Sequence, residues 1–139
     1  MPTGSSKENV SFILKLHGEV RWLVALVAVI AIVKFGVGWV RRAEFKGMDR
    51  GLMAAFTGLL DLNLVLGAIL LFGLGGGLIP SRIEHVTTML LAIVVAHTSV
   101  IWRRSDDPVK KFRNNLIAVV VALILVLVGV TRLRGSWIF

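Results

Sequence analysis

Four stretches of predominantly apolar residues decide what this chain can fold into. A hydrocarbon layer about 30 Å thick is crossed by about 20 residues of helix, and each stretch has that length. They run over residues 20–40, which hold the unbroken run WLVALVAVIAIV, and over 52–72, 83–102 and 114–133. One such helix can be the core of a water-soluble domain. Four of them in 139 residues leave too little polar sequence to cover them. Composition agrees: 56% of the residues are hydrophobic and 17% charged, with a mean hydropathy of +0.84, the reverse of a disordered chain. The connections are short, so consecutive helices should be antiparallel. The expected fold is all-α, a transmembrane four-helix up-and-down bundle forming a single integral membrane domain over residues 1–139, with lipid as its principal partner.

Local signals mark the span ends. Ser81 and Glu84, after Pro80, have the spacing of a capping box opening helix three. Asp107 followed by Pro108 reads as an N-cap with a first-turn proline, so helix four should start well before residue 114. The glycines of GLGGG at 73–77 end helix two. Trp22, Trp39, Trp102 and Trp137 fall near span ends, as an interfacial aromatic belt requires. The first ten residues are polar and include the mixed pair Lys7-Glu8, unlike the basic start of a cleavable signal peptide. SFILKL at 11–16 is either an interfacial lead-in or the first turns of helix one.

The formal net charge of +8 does not point to nucleic acid, because the basic residues cluster in loops beside the spans. Loop one offers Arg41, Arg42, Lys46 and Arg50; loop three offers Arg103, Arg104, Lys110, Lys111 and Arg113. Lys7, Lys15, Arg21, Arg82, Arg132 and Arg134 fall on the other side. The excess places loops one and three in the cytoplasm and both termini outside, in a multi-pass protein of the cytoplasmic membrane. With no cysteine, the chain has no disulfide framework, thiolate metal site or covalent haem attachment. It carries no nucleophile motif, phosphate-binding glycine loop or metalloprotease helix either.

Ionisable groups inside spans are the functional candidates, since each is costly there unless paired or hydrated. One set lies toward the outer ends of helices one and three: His17, Glu19 and Arg21 with Glu84 and His85. Two histidines at matched depth on different helices suit bis-imidazole ligation of a haem iron. Arg21, four residues after His17 and on the same helix face, would meet either a haem propionate or Glu84. The same residue types also serve as plain headgroup anchors. A second set comprises Lys34, Asp61 and His97, with Asn63 nearby. Side chains lean toward their own helix N-terminus, so these three converge in depth, and a buried Asp61 should pair with Lys34 or His97. Such a group reads as a structural ion pair, a proton relay through Asp61 or a second haem site at His97. His85 and His97 are about 18 Å apart along their helix and cannot share one haem. Helix four, without charge from Leu116 to Val130, reads as a packing wall. Gly36, Gly38, Gly58 and Gly67 permit close backbone approach, although no strict GxxxG lies within the spans.

The segments HGEVRW (17–22), KFGVGW (34–39), LLDLNLVLGAILLF (59–72), EH (84–85) and MLLAIVVAH (89–97) are followed by a basic loop and an aliphatic last helix. Together they resemble a family of small bacterial four-span membrane proteins labelled cytochrome-b-like, over nearly the whole chain after residue 11. The resemblance implies haem b held by histidines on helices one and three, here His17 and His85, with His97 as a further candidate. Some relatives carry an additional His or Gln in helix two where this chain has Asp61 and Asn63, a departure that argues against ligation from helix two here. The leading expectation is a b-type haem protein for electron transfer, alone or in a larger redox complex, with Arg21 and Glu84 supporting the ligands. The alternatives are an accessory or scaffold subunit, as a homodimer or within a larger assembly, and a small proton-coupled transporter using Asp61.

Overall fold

The computed structural model describes residues 4–75 and 77–135. It contains α1 (Gly4–Arg41), α2 (Gly47–Gly73), α3 (Pro80–His97) continued by a 3-10 turn (Thr98–Ile101), and α4 (Pro108–Arg134). There are no strands among the described residues, and all four helices are long and apolar enough to cross a bilayer. The protein is an all-α, multi-pass membrane four-helix bundle. α4 packs against α1 and α3, and α1 also packs against α2, while α2 and α3 touch only lightly. The bundle is therefore a ring with one thin seam.

α1 is longer than its apolar run, with 38 residues spanning about 57 Å. SFILKL is part of this continuous helix, so His17 lies more than three turns from its start. At the far end the chain leaves α1 through a Schellman turn. Ala43 N–H reaches Gly38 O at 3.0 Å and Arg42 N–H reaches Trp39 O at 3.2 Å, with Arg42 at φ 51°, a left-handed position usually held by glycine. α2 opens on Asp49, whose carboxylate accepts the Lys46 backbone N–H at 2.9 Å.

The expected capping box on α3 is not formed. The N-cap is Ile79, in extended conformation with no side-chain hydrogen bond, and Pro80 occupies the first turn. Proline fixes the helix start one residue too early for Ser81 to be the cap. Arg82 instead ties down the preceding turn, donating to the carbonyls of Gly75 and Gly77, both at positive φ. The other cap is as expected. Asp107 accepts from Val109 N–H at 3.1 Å and Lys110 N–H at 3.3 Å, ahead of Pro108.

The core has small residues where helices come closest. Ala28 and Ala31 of α1, Ala92 and Ala96 of α3, and Ala118 and Ala122 of α4 are all buried, the composition that close packing in a membrane favours. Two glycines are dictated by space. A Cβ on Gly38 would stand 2.5 Å from the Phe112 ring, and one on Gly129 would collide with the Met89 methyl group. Gly67 abuts His17, but Gly36 and Gly58 have nothing within 4 Å, so the close approach expected at those two does not occur. α4 packs one face against α1 and α3, with eight of its 27 residues buried, and leaves the rest of its aliphatic surface uncovered. Phe35, Phe45 and Phe112 close the end that carries the basic loops, with ring centroids 5.0–6.3 Å apart. Trp22 and Trp39 face outward. Trp102 turns inward and donates to Asn115 Oδ1 at 2.8 Å, so it anchors α4 rather than a headgroup layer. Trp137 lies outside the described residues.

Candidate functional site

Three polar pairs form between the helices, Lys34–Asp49, Asp61–His97 and His17–His85, and the antiparallel register of α1 and α2 separates the first two. Three facing pairs share that register: Val10 with Gly73, His17 with Gly67, and Lys34 with Asp49. Stepping a turn along α1 means stepping a turn back along α2, so Asp61 falls opposite Trp22 and Leu23. That is about 17 Å along the helix from Lys34. The expected convergence of Lys34 on Asp61 is thus corrected: Lys34 Nζ pairs with Asp49 Oδ1 at 3.1 Å. Asp49 was not among the expected intramembrane residues, because the apolar stretch begins only at Leu52. Its carboxylate is fully buried, with the Lys46 amide as its second partner. The usable signal is an Asp three residues after the N-cap Lys46, where a carboxylate meets unpaired amides.

Asp61 takes the other expected partner. His97 Nε2–H donates to both carboxylate oxygens, at 2.9 and 3.1 Å. The two side chains retain 49% and 48% of their exposure and lie across the thin α2–α3 seam. Asp61 is near the midpoint of α2, where an aspartate costs about 2.5–3.5 kcal/mol on insertion scales. The cost explains why it keeps an acid–base partner, and the half-exposure is the unusual part.

The third pair forms across the centre of the bundle. His17 of α1 and His85 of α3 meet edge-on, their ring centroids 6.5 Å apart and their planes at 78°. Each belongs to a different wall, and the other two walls present glycine at this level. Gly67 of α2 would place a Cβ 3.2 Å from His17 Cε1, and the carbonyl of Gly129 on α4 accepts from His85 Nδ1–H at 3.0 Å. That hydrogen bond leaves the His85 Nε2 lone pair available. Asn63 adjoins His17, yet neither Asn63 Oδ1 nor His17 Nδ1, both buried, makes a well-formed hydrogen bond among the described residues. Arg21, one turn from His17, is 8% exposed, with its guanidinium 5.5 Å from the Trp22 ring centroid. Glu84 does not turn toward Arg21. It pairs with Arg132 of α4 at 3.6 Å on the surface.

The donor chemistry of the pair suits a six-coordinate iron. Two metal–imidazole bonds of about 2 Å plus two ring radii put ring centroids about 6 Å apart in such a complex, close to the observed separation. Lateral room is less generous. The clefts of about 290 Å³ near Thr98 and Trp102 and about 250 Å³ near Phe45 and Lys111 lie elsewhere. A macrocycle would have to part side chains between α1 and α3. No group of three or more His, Cys, Asp or Glu that could hold a metal ion occurs among the described residues, so two imidazoles are the relevant donor set. His97, engaged with Asp61, is not brought to them.

No protein-family model, curated protein sequence or solved structure matches this chain. The likeness to cytochrome-b-like four-span proteins therefore rests on its short motifs alone.

Proposed function

We propose that this integral membrane bundle is a b-type haem protein of the cytoplasmic membrane, its basic loops in the cytoplasm, serving one-electron transfer alone or within a larger redox complex. The observation that carries the reading is the His17–His85 pair: two imidazoles on opposite walls at near bis-ligand spacing. A haem iron bound there would supply reversible one-electron exchange. The chain's own contribution is positioning. The Gly129 carbonyl, accepting from His85 Nδ1–H, leaves Nε2 as the ligating nitrogen, as a hydrogen-bonded outer partner commonly does for a metal-bound imidazole. Asn63, beside His17, brings a polar amide to the same role for that ring. Arg21, buried on the His17 face, offers a cation for the carboxylates such a group carries.

The test is the visible spectrum of protein purified in detergent after expression with haem supply. The expected result is a dithionite-reduced b-type α band that disappears in His17→Ala and His85→Ala but persists in His97→Ala. A colourless protein, or a band unaffected by both substitutions, overturns the proposal. The close packing at Gly67 and Gly129 favours one other reading, a scaffold subunit in which the two imidazoles only lock α1 to α3. A colourless protein that loses thermal stability in the same two variants would establish that reading instead.

A further inference from the structure

We infer that the Asp61–His97 face of the bundle is a docking surface for a second copy of this chain, closed by acid–base pairing across a two-fold axis. The inference does not depend on haem. Its starting point is that Asp61, at the middle of α2, and His97 leave about half of each side chain uncovered within the apolar span. Hydrocarbon does not solvate either group, so something polar must cover them. The residues sharing their helix faces are uncovered too. Ala54, Gly58 and Val65 lie seven, three and four positions from Asp61, and Leu90 and Val94 lie seven and three positions from His97. A Cβ on Gly58 would meet nothing within 4 Å. The face is smooth and apolar around one acid and one base, and it sits where α2 and α3 pack most lightly.

That charge pattern selects the occupant. In a two-fold interface residue i meets residue j while j meets i. Two copies with the same membrane orientation, related by an axis along the membrane normal, place Asp61 of each against His97 of the other. Each His97, as an imidazolium, donates from one ring nitrogen to its own Asp61 and from the other to Asp61 of the second copy, so four groups form a closed ring of alternating acceptors and donors. A lipid tail offers no polar atom at this depth. An unrelated helix would need both an acid and a base at matched positions, a requirement the chain already meets for itself.

The experiment measures energy transfer between donor- and acceptor-labelled copies in phosphatidylcholine vesicles. Labels go on a cysteine placed at exposed Arg104 of an otherwise cysteine-free chain. Wild type is expected to dimerise. Asp61→His alone presents two bases and His97→Asp alone two acids, so each should weaken self-association at least about tenfold. Mixed with each other, the two variants should recover transfer, because acid and base again face one another between copies although neither copy can pair them internally. If either variant fails to fold, Gly58→Leu provides the same test, since it adds bulk where the monomer has open space; it should weaken association by a similar factor. Wild-type monomers at all densities, variants that associate as well as wild type, or folded variants that fail to recover on mixing would overturn the inference.

Discussion

The bundle holds two embedded acid–base pairs that look alike in sequence and differ in nearly every physical respect. Lys34–Asp49 is built into the end that carries the basic loops. The carboxylate is fully buried and caps the start of α2, at the same end of the bundle where Phe35, Phe45 and Phe112 pack together. Asp61–His97 bridges the thin seam at mid-span with both partners half uncovered. The first pair belongs to the architecture, because removing Lys34 strands a carboxylate that the fold has enclosed, and removing Asp49 takes away both an ion pair and a helix cap. The second joins two side chains that each keep about half of their surface uncovered, so less of the fold depends on it. A buried partner and an uncovered one thus separate structural from functional polarity better than depth alone.

The largest expected effect is at the enclosed pair. Asp49→Ala removes the ion pair and the acceptor for the Lys46 amide together. Breaking one side of a buried pair costs about 3–5 kcal/mol, and Lys34, with 42% of its side chain exposed, keeps some access to water, which argues for about 3 kcal/mol. Denaturation in mixed detergent micelles should show it as a large loss of the folded fraction. A loss below about 1 kcal/mol would mean that this end is no more committed than the α2–α3 seam.

Next comes the packing around the same end. Gly38→Ala pushes a methyl group into Phe112, whose ring already contacts Phe35 and Phe45. Overpacking of this kind costs about 1–3 kcal/mol. Gly58→Ala, on the open seam, should be neutral or slightly stabilising, since alanine is the better helix former by about 1 kcal/mol. The two substitutions, compared by thermal unfolding in the same detergent, test the contrast directly. Equal losses would contradict it.

Asp61→Asn, measured in detergent dilute enough to keep the chain monomeric, should cost about 0.6 kcal/mol, the average for a hydrogen bond between membrane helices. A cost near that of Asp49→Ala would make the mid-span pair structural after all.

Much of this organisation was legible in the sequence, and the illegible parts share a cause. The spans, the Asp107-Pro108 cap and the glycine-rich exit of α2 depend on residues within a few positions of one another. The sharing of one depth by His17 and His85 needed only the alternation of helix direction. The partner of Lys34 needed the register of α1 against α2. That register is a matter of how two helices pack across a connection, and hydropathy does not record it. Asp49 was lost for a related reason, because a hydropathy window ends where the first charge begins even when the helix continues. Gly129 escaped notice within a run of aliphatic residues, although its missing Cβ and its carbonyl hold His85 and Met89 in place. Gly36 and Gly58 show the converse: a glycine in a span permits close approach but does not require it.

The smallest effect expected is at Arg42, in the turn that joins α1 to α2. Its φ of 51° places a side chain where L-residues are strained. The two hydrogen bonds of the turn, from Ala43 to Gly38 and from Arg42 to Trp39, are made by backbone and survive substitution. Arg42→Gly therefore keeps the turn and removes the strain, while glycine's greater freedom in the unfolded chain returns part of the gain. The net should be a stabilisation of about 0.5 kcal/mol, visible as a small rise in the unfolding midpoint. Coupling supplies the sharper reading. If the turn sets the α1–α2 register, the cost of Asp49→Ala should change when both substitutions are combined, whereas the cost of Asp61→Asn should stay additive with Arg42→Gly within about 0.5 kcal/mol. Additivity at both sites would show that the turn and the enclosed pair are independent, and that the register is held by helix packing alone.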